Sequence, residues 1–201
     1  MVPIWQPALL FGLKYNWLGK LLSILVSVLI VYGFKWVSPW EVGLVRPLPG
    51  AGRAVGPVTP GLVVVQFVIA CVSRGHGPAP GWEDLLYQAT MPGIEEELFF
   101  RGTLLGLLGR AFPRTVPFFG TRTSWGGAVS VLLFTPVHGL TFGAGPLQTL
   151  PQVHLAPGQA AYLVAWGAVY LWVRERSGSC FAAMATHNLS NLSGRFALLF
   201  R

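Results

Sequence analysis

The sequence predicts an all-α fold: a polytopic bundle of about six transmembrane helices. The chain is 53% hydrophobic and only 10% charged, whereas an average soluble domain has about 25% charged residues. Several of its apolar runs also approach the roughly 20 residues that span a hydrocarbon core. So few charges could not cover a soluble surface, and we expect a single integral membrane domain over residues 1–201.

The expected spans are separated by loops rich in proline and glycine. They cover residues 17–37, 60–72, 85–112, 124–142, 160–173 and 180–200, and the second can extend back to Ala54. Pro92 and Gly93 interrupt the third apolar run just before a cluster of glutamates. This interruption predicts that a helix restarts near Gly93, which would set the carboxylates beside the positive end of a helix dipole.

Basic residues are concentrated in the loops that follow the first, third and fifth expected spans. They are Lys35, Arg46, Arg53, Arg110, Arg114, Arg122, Arg174 and Arg176. The positive-inside rule places these loops in the cytoplasm and the N-terminus outside. Lys14 and Lys20 favour the opposite orientation, a conflict that an additional membrane element over residues 4–13 would resolve. The small size and the basic cytoplasmic face favour the cell membrane of a prokaryote.

A net charge of +7 raises the question of nucleic-acid binding. The basic residues are scattered near the ends of apolar runs, and they form no basic stripe with interleaved aromatic residues. We therefore expect the lipid bilayer as the surroundings of the chain and no nucleic-acid partner.

Three glutamates and an arginine lie inside the third apolar run: Glu95, Glu96, Glu97 and Arg101. Charges at the bilayer centre are costly, so such a cluster indicates a functional site. On a helix, Glu97 and Arg101 share a face and can form an ion pair. Glu96 then points elsewhere, free to act as a general base in a cavity. Glu95 is expected at the helix start, partly solvated.

Two other apolar runs carry histidines with a partner one helical turn away. Phe134 precedes His138 by four positions, so its ring should pack against the imidazole. His187 precedes Asn191 by four positions, which presents two hydrogen-bond donors on one face. Such a donor pair can hold an oxygen that gains negative charge in a tetrahedral intermediate.

Structural interpretations of the same residues are also open. Glu97 and Arg101 can be a purely structural ion pair, and Asn188 is expected to hydrogen-bond between helices. His76 and His154 are expected in loops. A glutamate and two histidines could bind a metal, but the sequence has no His-Glu-x-x-His motif and no cysteine pair, so we expect no metal and no cofactor.

Three motifs in order resemble a known family. Glu-Glu-x-x-x-Arg at 96–101, Phe-x-x-x-His at 134–138 and His-x-x-x-Asn at 187–191 resemble the CAAX-protease and bacteriocin-processing family (CPBP or Abi) of glutamic intramembrane proteases. The resemblance covers about residues 85–195, and the first 80 residues match only generic spans. Each motif alone is weak, whereas the three in order are specific.

The resemblance implies a metal-independent intramembrane endopeptidase that cleaves a membrane-associated protein or peptide. It implies roles for six residues: water activation by Glu96 and His138, support of the site by Glu97 and Arg101, and an oxyanion hole formed by His187 and Asn191.

Two alternatives are a non-catalytic scaffold or immunity protein of the same family, and a small proton-coupled transporter. The presence of both a base and a donor pair favours the enzyme, because a scaffold or a carrier has no need for the two together.

Overall fold

The computed structural model describes residues 13–73, 79–142 and 151–200, and most of these residues are helical. The α-helices are α1 (Trp17–Val28), α2 (Pro39–Val42), α3 (Ala51–Val55), α4 (Val58–Val72), α5 (Trp82–Met91), α6 (Leu105–Gly109), α7 (Trp125–Val137), α8 (Pro157–Ser177) and α9 (Cys180–Phe196). The π-helical segments Leu29–Gly33 and Pro92–Leu104 follow α1 and α5, and a 3₁₀ turn, Ala197–Phe200, follows α9. The predicted helical character is confirmed.

In the described ranges, one helical stretch, Ala51–Val72, is long and apolar enough to cross a membrane by length and composition. Trp17–Gly33 and Trp125–Val137 are shorter apolar helices. The number of spans therefore stays a prediction. The element expected over residues 4–13 falls, except for its last residue, outside the described residues, as does His76.

The helix that carries the glutamates does not restart at Gly93. It begins at Trp82, passes through Pro92 in π-helical geometry and reaches Gly109 through α6. Proline lacks the N–H needed for the α-helical ladder and clashes with the carbonyl four residues earlier, and here the chain continues with a wider turn instead of breaking. The expected dipole effect is wrong, because the glutamates lie in the middle of a long helix.

The fourth expected span is too long, and the all-α prediction omitted two short hairpins. Helix α7 ends at Val137, and residues 140–142 form a strand. The strands are β1 (Val116–Phe118) paired with β2 (Thr121–Thr123), and β3 (Leu140–Phe142) paired with β4 (Pro151–Val153), both antiparallel. Strands of three residues are too short to show the alternation that reveals a strand in a sequence.

Helix α9 lies at the centre of the described bundle and packs against α4, α5, α8 and the segment Pro92–Leu104. Its approach to that segment is close at Gly93, whose N–H donates to Asn188 Oδ1 at 2.7 Å. A Cβ on Gly93 would lie 2.5 Å from the Met184 carbonyl oxygen, so only glycine fits. The interhelical hydrogen bond predicted for Asn188 is confirmed.

Helix α2, the loop after α6 and the C-terminal end of α8 meet at one end of the bundle, which we call the arginine-rich end. Arg110 Nε lies 3.2 Å from Glu41 Oε1, and Arg114 Nη2 lies 2.6 Å from Glu175 Oε2. The Ser38 backbone N–H and the Arg110 guanidinium lower the pKa of Glu41 to about 2, so the Glu41 carboxylate stays charged at neutral pH. These contacts bring segments from the three predicted basic loops to one end of the bundle, and the side of the membrane on which they lie stays a prediction.

A cysteine at position 119 tests the orientation of the arginine-rich end. Phe119 lies in the β1–β2 turn, and its side chain is 85% exposed. In a Cys71→Ser background, which removes the exposed native thiol, we expect Phe119→Cys to react in intact cells with a membrane-permeant maleimide only. Labelling by an impermeant reagent from outside would reverse the orientation.

Candidate active site

Glu96 lies in the middle of the segment Pro92–Leu104, and its two carboxylate oxygens face different partners. Oε1 accepts a hydrogen bond from Lys20 Nζ at 2.7 Å. Oε2 is buried and makes no hydrogen bond within the described residues. It lies 3.5 Å from His138 Nε2 and 3.9 Å from His187 Nε2. Three of the four predicted catalytic side chains therefore meet at one oxygen.

His138 caps the C-terminus of α7. Its Nδ1 lies 2.8 Å from the Phe134 carbonyl oxygen, which can only accept a hydrogen bond, so Nδ1 must carry the proton. In the neutral ring, Nε2 is then an acceptor that faces Glu96. The rings of Phe134 and His138 have centroids 4.4 Å apart, which confirms the predicted packing.

His187 is held by Glu97 from the side opposite to Glu96. Its Nδ1 lies 2.8 Å from Glu97 Oε1, and the same oxygen accepts from Arg101 Nη1 at 3.3 Å. Glu97 and Arg101 are fully buried, so the predicted ion pair is confirmed and has a further partner. A carboxylate behind Nδ1 orients the ring and leaves its Nε2 directed toward Glu96.

Aromatic rings and a backbone carbonyl fix the remaining freedom of these side chains. The Arg101 guanidinium lies 4.1 Å from the Phe134 ring centroid, and its Nη2 donates to the Gly167 carbonyl at 3.0 Å. Tyr170 stacks on the imidazole of His187, with centroids 4.4 Å apart and planes 13° from parallel. These contacts pack Arg101 and His187 against α8.

A cavity of about 260 Å³ adjoins this group, and all four predicted catalytic residues line it: Glu96, His138, His187 and Asn191. Asn191 follows His187 by one turn of α9. A second cavity, of about 280 Å³, is lined by Lys20, Ser23 and Glu95 and shares Glu96 and His138 with the first. The Glu96–His138 pair thus forms a wall common to both cavities.

Lys20 and Tyr170 belong to the site although the sequence analysis did not single them out for it. The expectation that Glu95 is partly solvated is wrong, because it is buried and contacts Lys20 and Ser23. Lys20 is the fourth residue of α1, and a lysine near the start of an apolar helix is typical of a membrane flank. Its position just inside the apolar run was the one feature of the sequence that could have indicated a role in the site. Tyr170 sits in an apolar run, where nothing distinguishes it from packing residues.

The remaining polar candidates lie away from this centre. His154 follows β4 as a loop residue, with Nε2 3.0 Å from Gln152 Oε1. Across the described part of the chain, no group of three or more His, Cys, Asp and Glu side chains is arranged to hold a metal ion.

Residues 78–193 match the family model described as type II CAAX prenyl endopeptidase Rce1-like. The matched segment covers more than half of the chain and includes every predicted site residue, whereas Lys20 and α1 precede it. Neither the curated proteins nor the solved structures compared with the chain gave a match. The chain belongs to the type II CAAX prenyl endopeptidase Rce1-like family, a family of membrane-embedded proteases, which confirms the resemblance seen in its three motifs.

Proposed function

We propose that this protein is a metal-independent glutamic endopeptidase that hydrolyses a peptide bond of a membrane-associated protein or peptide. The observation that carries the proposal is Oε2 of Glu96, which is buried, lies 3.5 Å from His138 Nε2 and adjoins a cavity of about 260 Å³. Processing by the purified protein must then depend on Glu96, and a Glu96→Gln variant that processes substrate would contradict the proposal.

Glu96 and His138 together suit the activation of water. Oε2 of Glu96 and Nε2 of neutral His138 are both acceptors, so the pair can receive the two O–H groups of one water molecule. As the water oxygen attacks the carbonyl carbon, its proton passes to Glu96 and the carbonyl π electrons move onto the carbonyl oxygen. Glu96 is thus the general base, and His138 orients the water.

His187 and Asn191 suit the stabilisation of the resulting oxyanion. With Nδ1 directed to Glu97, the Nε2 edge of the His187 ring lies at the cavity, where the protonated ring is a donor. The Asn191 amide offers a second donor from the same helix. When the intermediate collapses, the C–N bond breaks and the proton held by Glu96 passes to the departing nitrogen. The base is thereby regenerated without a cofactor.

Glu97 and Arg101 support this chemistry as an ion pair in which each side chain neutralises the charge of the other. Both side chains are fully buried, and a buried charge without its partner costs about 3–5 kcal/mol. The pair therefore keeps a carboxylate behind His187 without placing an uncompensated charge in the bundle.

We place the protein as one integral membrane domain in the cell membrane of a prokaryote, with lipid as its surroundings and no nucleic-acid partner. Its family is membrane-embedded. The outer face of α4 also exposes apolar side chains, among them Val64, Val68 and Val72, as a helix that contacts lipid does.

Activity is expected to survive metal chelation. If Glu96 and His138 activate water without a metal, EDTA should leave the hydrolysis rate of the purified protein unchanged, and metal analysis should find no stoichiometric zinc. One tightly bound zinc per chain, lost together with activity on chelation, would instead indicate a metalloprotease.

A further inference from the structure

Helix α1 contributes a chain of polar contacts to the proposed site. Ser23 Oγ donates to Glu95 Oε1 at 2.6 Å. Lys20 Nζ donates to Glu95 Oε2 and to Glu96 Oε1, the latter at 2.7 Å. The contacts therefore run from Ser23 through Glu95 and Lys20 to the carboxylate of the proposed base.

Lys20 contacts one of the two carboxylate oxygens of Glu96 and leaves the other facing the histidines. Its ammonium occupies Oε1, so Oε2 is the oxygen that remains toward His138 and His187. Rotation of the carboxylate would break the contact with Lys20. The lysine therefore fixes the plane of the carboxylate and leaves one of its two equivalent oxygens toward the histidines.

Charge balance gives Lys20 a second effect. Glu95 and Glu96 are adjacent and mostly buried, with side chains 10% and 14% exposed. Two neighbouring buried carboxylates repel each other, and a nearby cation offsets their charge. Arg101 offsets the charge of Glu97, whereas Lys20 is the lysine or arginine that contacts Glu96 among the described salt bridges.

We propose that Lys20 is a positioning residue that directs Oε2 of Glu96 toward the histidines, with Glu95 and Ser23 holding the lysine in place. The proposal rests on the proposed role of Glu96 as the base. Because Lys20 precedes the family match over residues 78–193, it adds to the site a residue that the family motifs do not contain.

Lys20→Met, Lys20→Arg and the parent, compared as purified proteins in liposomes, test this proposal. We expect Lys20→Met to lower kcat by about 10²-fold, the size of effect that a misplaced reacting group produces, with KM and the unfolding temperature close to those of the parent. Lys20→Arg keeps the charge and the donors and should recover most of the loss. Parental kcat in Lys20→Met would overturn the proposal, and so would a failure of arginine to recover activity.

Lys14→Met is the matched control. Lys14 lies just before α1 and, like Lys20, forms an ion pair, with its Nζ 2.7 Å from Asp84 Oδ1. Its side chain is 55% exposed, however, and lies outside both cavities. The Lys14→Met variant should process substrate like the parent. If kcat falls as far in Lys14→Met as in Lys20→Met, removal of any positive charge near α1 lowers kcat, and the proposal fails.

Glu95→Gln keeps the proposal testable if Lys20→Met does not fold. The amide keeps the shape but weakens the hold on Lys20, so kcat should fall to a value between those of the parent and Lys20→Met, whereas parental kcat would contradict the proposal. Glu96→Gln is measured in parallel. An active Glu96→Gln variant would refute the proposed function itself, whereas an inactive one beside a fully active Lys20→Met would refute only the role of Lys20.

Discussion

Glu96→Gln is expected to abolish peptide-bond hydrolysis while the protein stays folded and inserted. Glutamine has the shape of glutamate, and its amide can still accept from Lys20 and donate to His138 Nε2, so the contacts at 2.7 Å and 3.5 Å have substitutes. It cannot accept the proton of the attacking water. General-base catalysis typically contributes about 10²–10⁴-fold, so the rate should fall by at least that factor in a liposome assay of purified protein.

Glu41→Gln is the control for this substitution. It makes the same chemical change at the arginine-rich end, where Glu41 pairs with Arg110 and lies outside both cavities of the site. Its activity should match that of the parent. If Glu96→Gln hydrolyses substrate at the parental rate while its unfolding temperature is normal, Glu96 is not the base.

Asn191→Ala and His187→Ala are each expected to lower kcat by about 10²–10³-fold, the usual cost of losing one oxyanion-hole donor. The donors matter more in the transition state than in the ground state, so substrate affinity should change little. The measurements are kcat and substrate binding, with the unfolding temperature as a check on folding. His187 also contacts Glu97 and Tyr170, so Asn191→Ala is the cleaner of the two variants.

Asn188→Ala provides a matched comparison on the same helix. It removes an identical amide, but one that accepts from the Gly93 N–H and does not line the cavity with Asn191. We expect Asn188→Ala to lower the unfolding temperature while kcat stays close to that of the parent. If His187→Ala and Asn191→Ala bind, unfold and process like the parent, the oxyanion role is wrong.

Contacts within one helical turn could be predicted from the sequence. The spacing of Glu97 and Arg101 predicted their ion pair, and that of Phe134 and His138 predicted their packing; both are present. These predictions depend only on helical periodicity, which brings residues four apart to one face. The pair survives even though its segment is π-helical, because a slightly wider turn still leaves such residues adjacent.

Contacts between distant segments could not be predicted in this way. The sequence assigned Glu97 to Arg101 alone, whereas its bond to His187 joins residues 90 positions apart. Lys20 and Glu96 are 76 positions apart, and a lysine near the start of an apolar run is typical of a membrane flank. Such pairings depend on how helices pack, which periodicity does not determine.

The geometry of the long acidic helix was also beyond the sequence. Pro92 and Gly93 are typical of a helix boundary, and this led to the wrong prediction of a restart. Whether a proline breaks a helix or is absorbed depends on its neighbours, and here Gly93 docks against Asn188 of α9. This contact between helices accompanies the continuous helix, in which Glu96 lies in the middle.

The most direct test of hydrolysis by this site compares the termini of membrane proteins in cells that make the parent, Glu96→Gln at equal membrane abundance, or neither. We predict a set of new protein or peptide termini that appears only with the parent and is missing from both other samples. Identical termini in cells with the parent and with Glu96→Gln would contradict catalysis by Glu96. If a partner protein still depended on the Glu96→Gln variant as on the parent, a scaffold would be the better description.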